Sequence, residues 1–384
     1  MIPPRSPAIP PTISWTEGGE THATLWRSEA GAVPPKRVHV ADDTLSADAA
    51  YRFASEGTAL LWRGDFQNAR QLLQAMARRV DRKLRKPAPD ITAAFHQQRQ
   101  AQSQRARTLG MLLIPFAADH HIPLRRAPDV RQACEEAHGP SSSPYVASLR
   151  ELLGLIGAHE WRKNGVDVPA CGGRIHPHYG VFAPIRSEYV GLVENAPLPA
   201  ALGIHSLAFD IGTGTGVLAA VLARRGVAQV LATDQDSRAM DCARENLARL
   251  GVGKQVGILQ TDLFPPGRAP LIVCNPPWIP ARPSSPLEHA IYDPDSRMLR
   301  DFLNGLAEHL TPGGEGWLIL SDLAEHLGLR TRSALLALID SARLQVLGRI
   351  DVKPMHPRTT DPADLLHAAR AAEVTSLWRL GAKV

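Results

Sequence analysis

The chain has 384 residues, of which 44% are hydrophobic and 21% charged, a composition typical of globular proteins and long enough for two domains. Lys and Arg outnumber Asp and Glu by 43 to 38, which permits a phosphate-rich partner without requiring one. The four cysteines show no Cys-x-x-Cys spacing, which argues against a disulfide framework. With neither a signal-peptide pattern nor an apolar run of about 18 residues, we expect a cytoplasmic protein without a membrane segment.

The first 160 residues divide into two predicted parts. Residues 1–45 are rich in Pro, Gly and Thr without periodicity, which predicts a leader or loosely packed arm. Residues 46–160 have helical spacing, and we expect a mainly helical domain there that recognises the substrate. Its clearest helix begins after Asp65, a capping residue, and further helical stripes are predicted near 109–116 and 145–156. The apolar stripe of the first helix consists of Phe66, Ala69, Leu72, Leu73 and Met76.

A basic segment follows that helix. Arg78–Lys86 carries six cations and one acid. The segment is either a solvated helix end with favourable charge for its dipole or a surface that meets RNA phosphates or an acidic protein.

Residues 161–190 lack helical spacing and are interpreted as a connector or hairpin. From 191 to 384, apolar strand-like runs alternate with helical stripes, which predicts a Rossmann-like, doubly wound α/β sheet. Strands are predicted near 206–210, 228–233, 255–260, 270–274, 315–320, 344–352 and 374–380. Helices are predicted near 215–225, 237–250, 295–310 and 330–342.

A glycine-rich turn follows the first of these strands. The strand ends at Asp210, and the sequence continues Ile-Gly-Thr-Gly-Thr-Gly before a helix. Such glycines let the backbone approach a ligand at a helix N-terminus. Val217 stands where the third glycine of a dinucleotide-binding Gly-x-Gly-x-x-Gly motif would fall, which argues against a nicotinamide or flavin oxidoreductase and favours S-adenosylmethionine. The cofactor-binding candidates here are Asp210, Gly212, Thr213, Gly214 and Gly216.

Two further acids stand at predicted strand ends. Asp234 closes the second strand, where a carboxylate can accept hydrogen bonds from both ribose hydroxyls. Asp262 and Leu263 follow the third strand at the depth of the adenine. Either acid alone could be a turn or capping residue; together with the glycines, they predict a nucleoside-binding site.

Asn275-Pro276-Pro277-Trp278 follows the fourth strand. An amide or nucleobase nitrogen is a poor nucleophile because its lone pair is delocalised. The Asn275 side-chain oxygen and the Pro276 carbonyl can accept its two N–H groups and stabilise the positive charge that develops during attack. Trp278 offers a flat face for a planar group. We therefore predict Asn275, Pro276 and Trp278 as catalytic, with Asn275 also beside the cofactor.

These motifs, together with the Tyr179–Pro184 segment, resemble class I S-adenosylmethionine-dependent methyltransferases with a "methyltransferase small" domain. This group includes release-factor and ribosomal-protein glutamine methyltransferases and RNA or DNA amino-methyltransferases. The resemblance covers roughly 175–350 and implies a seven-stranded sheet with an antiparallel last strand. It also implies that Asp210 and the glycines contact the methionine moiety, Asp234 the ribose and Asn275 the substrate nitrogen. The glutamine methyltransferases usually carry Tyr where Trp278 stands.

The sequence thus predicts an N-methyltransferase that modifies a protein glutamine or an RNA base. A small-molecule N-methyltransferase and a non-catalytic nucleoside- or RNA-binding module remain alternatives. No metal site is predicted: Asp119-His120-His121 and the cluster of Cys171, His176 and His178 are interpreted as turns. The Pro-rich stretch over 280–286 is predicted to be a lid.

Overall fold

The structure is a computed structural model that describes residues 11–82, 87–185, 187–203, 206–283, 286–355, 361 and 364–383. The chain divides into two compact units. The first contains Met1–Pro87 and Gln97–Glu160, and the second contains Ala88–His96 and Trp161–Val384. The predicted boundary near residue 160 lies where the second unit resumes, but Ala88–His96, which was assigned to the first domain, belongs to the second.

The first unit contains a six-stranded mixed sheet with strand order β1-β2-β6-β5-β4-β3. Its strands are β1 (Thr12–Glu17), β2 (Glu20–Trp26), β3 (Arg37–Ala41), β4 (Thr58–Trp62), β5 (Leu112–Phe116) and β6 (Tyr145–Ser148). The helices up to residue 164 are α1 (Ala47–Ser55), α2 (Phe66–Asp81), α3 (Ile91–Leu109), α4 (Arg131–His138) and α5 (Leu149–Asn164).

The prediction of a loose arm over 1–45 is wrong for its described part, because β1, β2 and β3 occupy it; residues 1–10 lie outside the described residues. β1 and β2 form an antiparallel hairpin that turns at Gly18 and Gly19, with φ of 60° and 85°. Only Ile13 of β1 is buried. The hairpin is therefore polar enough to resemble a flexible segment in composition.

Residues 46–160 contain more helix than strand, as predicted, but the prediction missed three strands of the sheet, β4, β5 and β6. The stripe near 109–116 is the end of α3 followed by β5, and the stripe near 145–156 is β6 followed by α5. All four residues of β6 are buried, so the strand lacks the alternation that marks a half-exposed strand. The helix after Asp65 is confirmed: the Asp65 side chain accepts a hydrogen bond from the Gln67 backbone N–H, and all five residues of the predicted stripe are buried.

The second unit contains a seven-stranded sheet with order β11-β10-β9-β12-β13-β15-β14. Only β15 runs antiparallel to its neighbours. Its strands are β9 (Leu207–Ile211), β10 (Gln229–Asp234), β11 (Val256–Gln260), β12 (Ala269–Cys274), β13 (Leu310–Ser321), β14 (Leu344–Val352) and β15 (Thr375–Ala382). The connector region holds a hairpin of β7 (Val166–Val168) and β8 (Gly173–Ile175).

Helices cover both faces of this sheet, as expected for a doubly wound fold. They are α6 (Glu188–Asn195), α7 (Val217–Arg224), α8 (Ser237–Arg249), α9 (Arg297–His309), α10 (Leu323–His326), α11 (Arg332–Ser341) and α12 (His367–Ala372). Ala208 of β9 packs with α6, α7 and α8, whereas its neighbour Phe209 packs with α9 and α11. The predicted Rossmann-like sheet is confirmed, and each predicted strand and helix of this unit overlaps an observed one.

Candidate active site

The candidate site lies where the strand order reverses between β9 and β12. Ile211 and Cys274 are parallel partners at the carboxyl ends of these two strands. Gly212 and Asn275 therefore leave the sheet side by side. In doubly wound sheets, ligands bind in the crevice that opens at such a reversal.

The glycine turn has a backbone that favours glycine. Gly212, Gly214 and Gly216 have φ of 70°, 55° and 81°, in the left-handed region. Gly216 precedes α7, and a Cβ there would lie 3.2 Å from Cβ of Ala243 in α8. A Cβ at Gly214 would meet no atom within 4 Å, so the turn is open to a ligand at that position.

Asp210 holds this turn from inside. Its side chain is buried, and Oδ2 accepts hydrogen bonds from the Thr213 hydroxyl at 2.6 Å and the Ala219 N–H at 3.0 Å. Burial raises the pKa of Asp210 to about 6. Thr213, also buried, donates its backbone N–H to the Thr233 carbonyl. The Thr213 side chain therefore links the turn to Asp210, and its contact with the cofactor stays a prediction.

Asp234 stands at the end of β10, as predicted. Its Oδ2 accepts the Gly214 N–H at 3.0 Å and its Oδ1 accepts the Asp236 N–H at 3.0 Å. Burial raises the pKa of Asp234. Because each carboxylate oxygen has two lone pairs, both oxygens keep capacity for a pair of hydroxyl groups.

Asp262 and Leu263 follow β11. Asp262 forms an ion pair with Arg297, the first residue of α9, with N–O distances of 3.1 and 3.2 Å. The Leu263 carbonyl accepts a hydrogen bond from the Thr233 hydroxyl at 2.6 Å, and Leu263 has a φ of 72°. The sequence did not identify Arg297, because an ion pair between two crossover connections has no local pattern.

The Asn275 side chain is held by its own motif. The Trp278 indole N–H donates to Asn275 Oδ1 at 2.9 Å. Because the indole can only donate, this bond fixes which end of the amide is the oxygen. Trp278 is partly buried and packs against both faces of the sheet core, and Pro276 is buried. One lone pair of Oδ1 remains for a substrate N–H.

The loop after the motif is closed at its base. Ile279 pairs with Tyr292, and the Asp293 N–H donates to the Ile279 carbonyl at 2.9 Å. Asp293 is 5% exposed, and its carboxylate accepts the N–H groups of Met298 and Leu299 at 3.1 and 3.2 Å. Burial raises the pKa of Asp293. The lid over 280–286 stays a prediction, and its Ser284 and Ser285 lie outside the described residues.

Asp293 was not among the sequence candidates, although an Asp-Pro pair just before a helical stripe is a recognisable start signal. Its helix approaches the glycine turn, since a Cβ at Gly212 would lie 2.7 Å from Met298 Cε. The base of the loop and the glycine turn thus meet through the first turn of α9.

The histidines and cysteine that were weighed as metal ligands have other partners. His176 Nδ1 lies 2.7 Å from the Arg162 carbonyl, His178 Nε2 lies 3.0 Å from Glu245, and Cys171 Sγ contacts the Val217 carbonyl at 3.5 Å. In the other cluster, His120 Nδ1 lies 3.0 Å from the Tyr145 hydroxyl. Within the described ranges, no three His, Cys, Asp or Glu side chains are placed to hold a metal ion.

None of the helices in the described part of the chain combines the length and the apolar character that crossing a membrane demands.

Comparisons with known proteins point to one family. Residues 178–332 match the family described as "Methyltransferase small domain". The release factor glutamine methyltransferase of Cereibacter sphaeroides is 32% identical over 199 residues, which cover 48% of this chain and 65% of that protein. The ribosomal RNA small subunit methyltransferase C of Alcanivorax borkumensis is 33% identical over 120 residues, 31% of this chain and 33% of that protein. The chain thus spans less than two thirds of either relative.

Among solved structures, the ribosomal protein L11 methylase of Lactobacillus delbrueckii subsp. bulgaricus aligns with a TM-score of 0.35 at 19% identity. That alignment covers 52% of this chain and 79% of the other.

Proposed function

We propose that this protein, whose residues 178–332 match the methyltransferase small domain family, is an S-adenosylmethionine-dependent enzyme that methylates a planar amino or amide nitrogen of a macromolecule. The observation that carries the proposal is the adjacency of two turns. The glycine turn after β9 and Asn275 after β12 leave neighbouring strand ends, which would place a methyl donor beside an acceptor of N–H groups.

The residues of the glycine turn fit S-adenosylmethionine. The backbone at Gly212 and Gly214 would lie against the methionine moiety, while Asp234 has lone pairs for the ribose hydroxyls. Asp262 and Leu263 would flank the adenine. The buried Asp210 carboxylate is the negative charge that a cationic ligand would stabilise in its ionised form. When bound, the cofactor supplies an electrophilic methyl group on a sulfonium.

Asn275 and Pro276 would prepare the nitrogen for attack. Asn275 Oδ1, held by Trp278, has one lone pair left for a substrate N–H, and the Pro276 carbonyl would accept the other N–H. These acceptors aim the nitrogen lone pair and stabilise the positive charge that grows there. The nitrogen gains the methyl group and then loses a proton to water, so the step needs no buried general base.

The proposed substrate is a macromolecule, either RNA or a protein that carries a glutamine. The two relatives support these classes, since one is a release factor glutamine methyltransferase and the other a ribosomal RNA methyltransferase. For both classes, the compartment we propose is the cytoplasm.

The first unit is the proposed recognition module. It contains a groove of about 470 Å³ beside α1, α2 and α3, lined in part by Tyr51, Gln104, Arg105 and Arg107. The basic segment Arg78–Lys86 begins inside α2. Its Arg79 forms an ion pair with Asp48, and residues 83–86 lie outside the described residues.

The test is transfer of label from tritiated S-adenosylmethionine. Lysate from a strain that lacks the protein would be incubated with the pure enzyme, then separated into protein, RNA and small molecules. We expect label in protein or RNA. Label only in small molecules would favour the small-molecule alternative, and no label despite cofactor binding would favour a non-catalytic module.

Asn275→Ala is the control for this test. Because Asn275 contacts the substrate nitrogen in the proposed mechanism, we expect turnover to fall by about 100- to 1000-fold while cofactor affinity stays within a few-fold. A large loss of cofactor affinity would mean that Asn275 serves the cofactor site instead.

A further inference from the structure

Arg330 in the second unit carries a guanidinium with two buried nitrogens that have no hydrogen-bond partner among the described residues. Its Nε and Nη2 atoms are both buried and unpaired within the described residues. A buried cation is costly unless an anion or a set of acceptors compensates it. Burial lowers the pKa of Arg330; the negative charges of Glu325 and Asp293 oppose this shift, and the positive charge of Arg332 adds to it.

The nearby acids are engaged elsewhere. Arg332 forms a two-pronged ion pair with Glu325 at 2.8 and 2.9 Å and also lies 3.7 Å from Asp322. Asp293 directs its two oxygens to backbone N–H groups of α9. The acids of the immediate surroundings therefore attract Arg330 but leave its Nε and Nη2 donors unpaired.

Arg330 lies next to the candidate active site. It follows α10 at the carboxyl end of β13, the strand that neighbours β12, and its N–H donates to the Ala324 carbonyl. Ala324 and Leu327 share a core cluster with Ile279, the residue after Trp278. The guanidinium also interacts electrostatically with Asp293 at the base of the loop.

The proposed cofactor residues and the proposed substrate residues follow different strands of the sheet. The proposed cofactor residues follow β9, β10 and β11, whereas Asn275 follows β12 and Arg330 lies beyond β13. Arg330 is thus on the substrate side of Asn275. Arg330 as a whole residue is only partly buried, although its Nε and Nη2 atoms are buried.

We infer that Arg330 binds a phosphate of the substrate, which makes the substrate of this site a nucleic acid rather than a protein glutamine. This inference rests on the proposed function. A guanidinium presents a planar fork of N–H donors that matches two phosphate oxygens, and hydrogen bonds between charged groups are the strong ones. A glutamine and its peptide neighbours offer neutral carbonyls, which compensate a buried cation less well.

The test compares nucleoside 5′-monophosphates with the matching nucleosides, using calorimetry on the full chain with S-adenosylhomocysteine present. We expect at least one monophosphate to bind more tightly than its nucleoside. Arg330→Met should lower the affinity for that monophosphate by about 10-fold or more and leave the affinity for the nucleoside unchanged. Arg330→Lys keeps the charge but loses the planar fork of donors, so its affinity for the monophosphate should lie between those of the wild type and Arg330→Met.

Arg268→Met is the matched control. Arg268 is exposed and directly precedes β12, so it lies at the amino end of the strand, opposite the site. The Arg268→Met substitution removes one positive charge from the same unit and should change monophosphate affinity less than two-fold. Equal losses in both variants would mean general electrostatic attraction and would overturn the inference.

A structural role for Arg330 predicts a different result. Removal of an uncompensated buried cation should leave the melting temperature of Arg330→Met equal to or above that of the wild type, whereas loss of a structural contact would lower it. The inference would be overturned if the wild type bound nucleosides more tightly than monophosphates. Methylation of a glutamine-containing peptide that Arg330→Met does not affect would also overturn it. Failure of the proposed function itself would appear separately, as absent S-adenosylhomocysteine binding.

Discussion

The Trp278 indole N–H donates to Oδ1 of Asn275 at 2.9 Å. The two residues are three positions apart in one turn, and the proline pair between them stiffens the backbone that sets this distance. The bond leaves Asn275 with a defined amide orientation before any substrate arrives. Trp278 is therefore a positioning residue in this structure, in addition to the stacking surface that the sequence predicts.

Trp278→Phe separates these two roles. The variant keeps an aromatic face but loses the N–H, so Asn275 can rotate its amide. Because a hydrogen bond of this kind contributes about 1 kcal/mol, we expect kcat to fall roughly 3- to 10-fold with little change in KM. Steady-state kinetics on the labelled substrate would measure this, with Trp278→Ala as the comparison that should also raise KM. A Phe variant with wild-type kcat would contradict the positioning role.

Two glycines of the cofactor turn offer a matched pair of substitutions. Gly216→Ala introduces a Cβ at φ 81° that would lie 3.2 Å from Ala243 Cβ, so both backbone strain and a close contact oppose it. Gly214→Ala has φ 55° and open space around it. We expect Gly216→Ala to cost about 2 kcal/mol of unfolding free energy and Gly214→Ala about 1.

Both variants should weaken cofactor binding. Gly216→Ala should do so because strain and the contact with Ala243 distort the turn. In Gly214→Ala, the new methyl group occupies the space proposed for the ligand, so calorimetry should show a loss of affinity that exceeds the change in stability. Denaturant unfolding of the apo proteins gives the stability values. If Gly214→Ala bound the cofactor normally, the ligand would lie elsewhere.

The sequence predicted the second unit well because its strands alternate with amphipathic helices and end in distinctive residues such as Asp210 and Asn275. The prediction missed the sheet of the first unit for the opposite reasons. β5 and β6 are short and nearly fully buried, so they show no alternation, while β1 and β2 are exposed and polar. Tertiary environment, rather than local pattern, determines these strands.

The site residues likewise divide into those that the sequence predicted and those that only the structure identified. The turns after β9 and β12 lie on local motifs, and the structure brings them together as expected from parallel strand ends. Arg297 was identified only through its contact with Asp262 in another crossover connection, whereas Asp293 stands at a helix start that the sequence marks. Arg330 has no sequence signal, because a lone arginine in a turn has the same appearance whether its guanidinium is paired or not.

Glu315 tests the packing of the sheet beneath the site. It is 6% exposed and accepts hydrogen bonds from Arg379 on β15 at 2.6 and 2.8 Å and from the Trp317 indole at 3.0 Å. Burial opposes ionisation, but the bonds from Arg379 and Trp317 hold the pKa of Glu315 below its usual value. The contribution to stability is therefore present above the unfolded pKa and lost as pH falls through the lower folded pKa.

Glu315→Gln should lower the unfolding free energy at pH 7 by roughly 1–3 kcal/mol, since it leaves Arg379 without its charged partner. The difference from wild type should shrink below about pH 4. Asp351→Asn, which breaks the exposed pair with Arg349 on β14, is the control and should cost less than about 1 kcal/mol. Equal losses at Glu315 and Asp351 would count against a special role for the buried pair.

Asp210 shows the opposite pH dependence. Its folded-state pKa of about 6 lies above the ordinary value of 3.8, because burial disfavours the carboxylate. Protonated Asp210 therefore stabilises the fold below pH 4, and this contribution is lost as pH rises through 6. The difference is worth about 3 kcal/mol at most, since each pKa unit corresponds to about 1.4 kcal/mol. Asp234 and Asp293 shift in the same direction and steepen the slope of the wild type.

Asp210→Asn should remove part of that slope while its amide oxygen still accepts from Thr213 and Ala219. In the apo protein, unfolding free energy between pH 4 and 7 should fall less steeply for the variant than for the wild type. Cofactor affinity should behave inversely: a cationic ligand favours the ionised carboxylate, so wild-type affinity should rise through pH 6 and that of Asp210→Asn should not. Calorimetric titrations at several pH values would decide this, and identical pH profiles in the two proteins would exclude Asp210 as the titrating group.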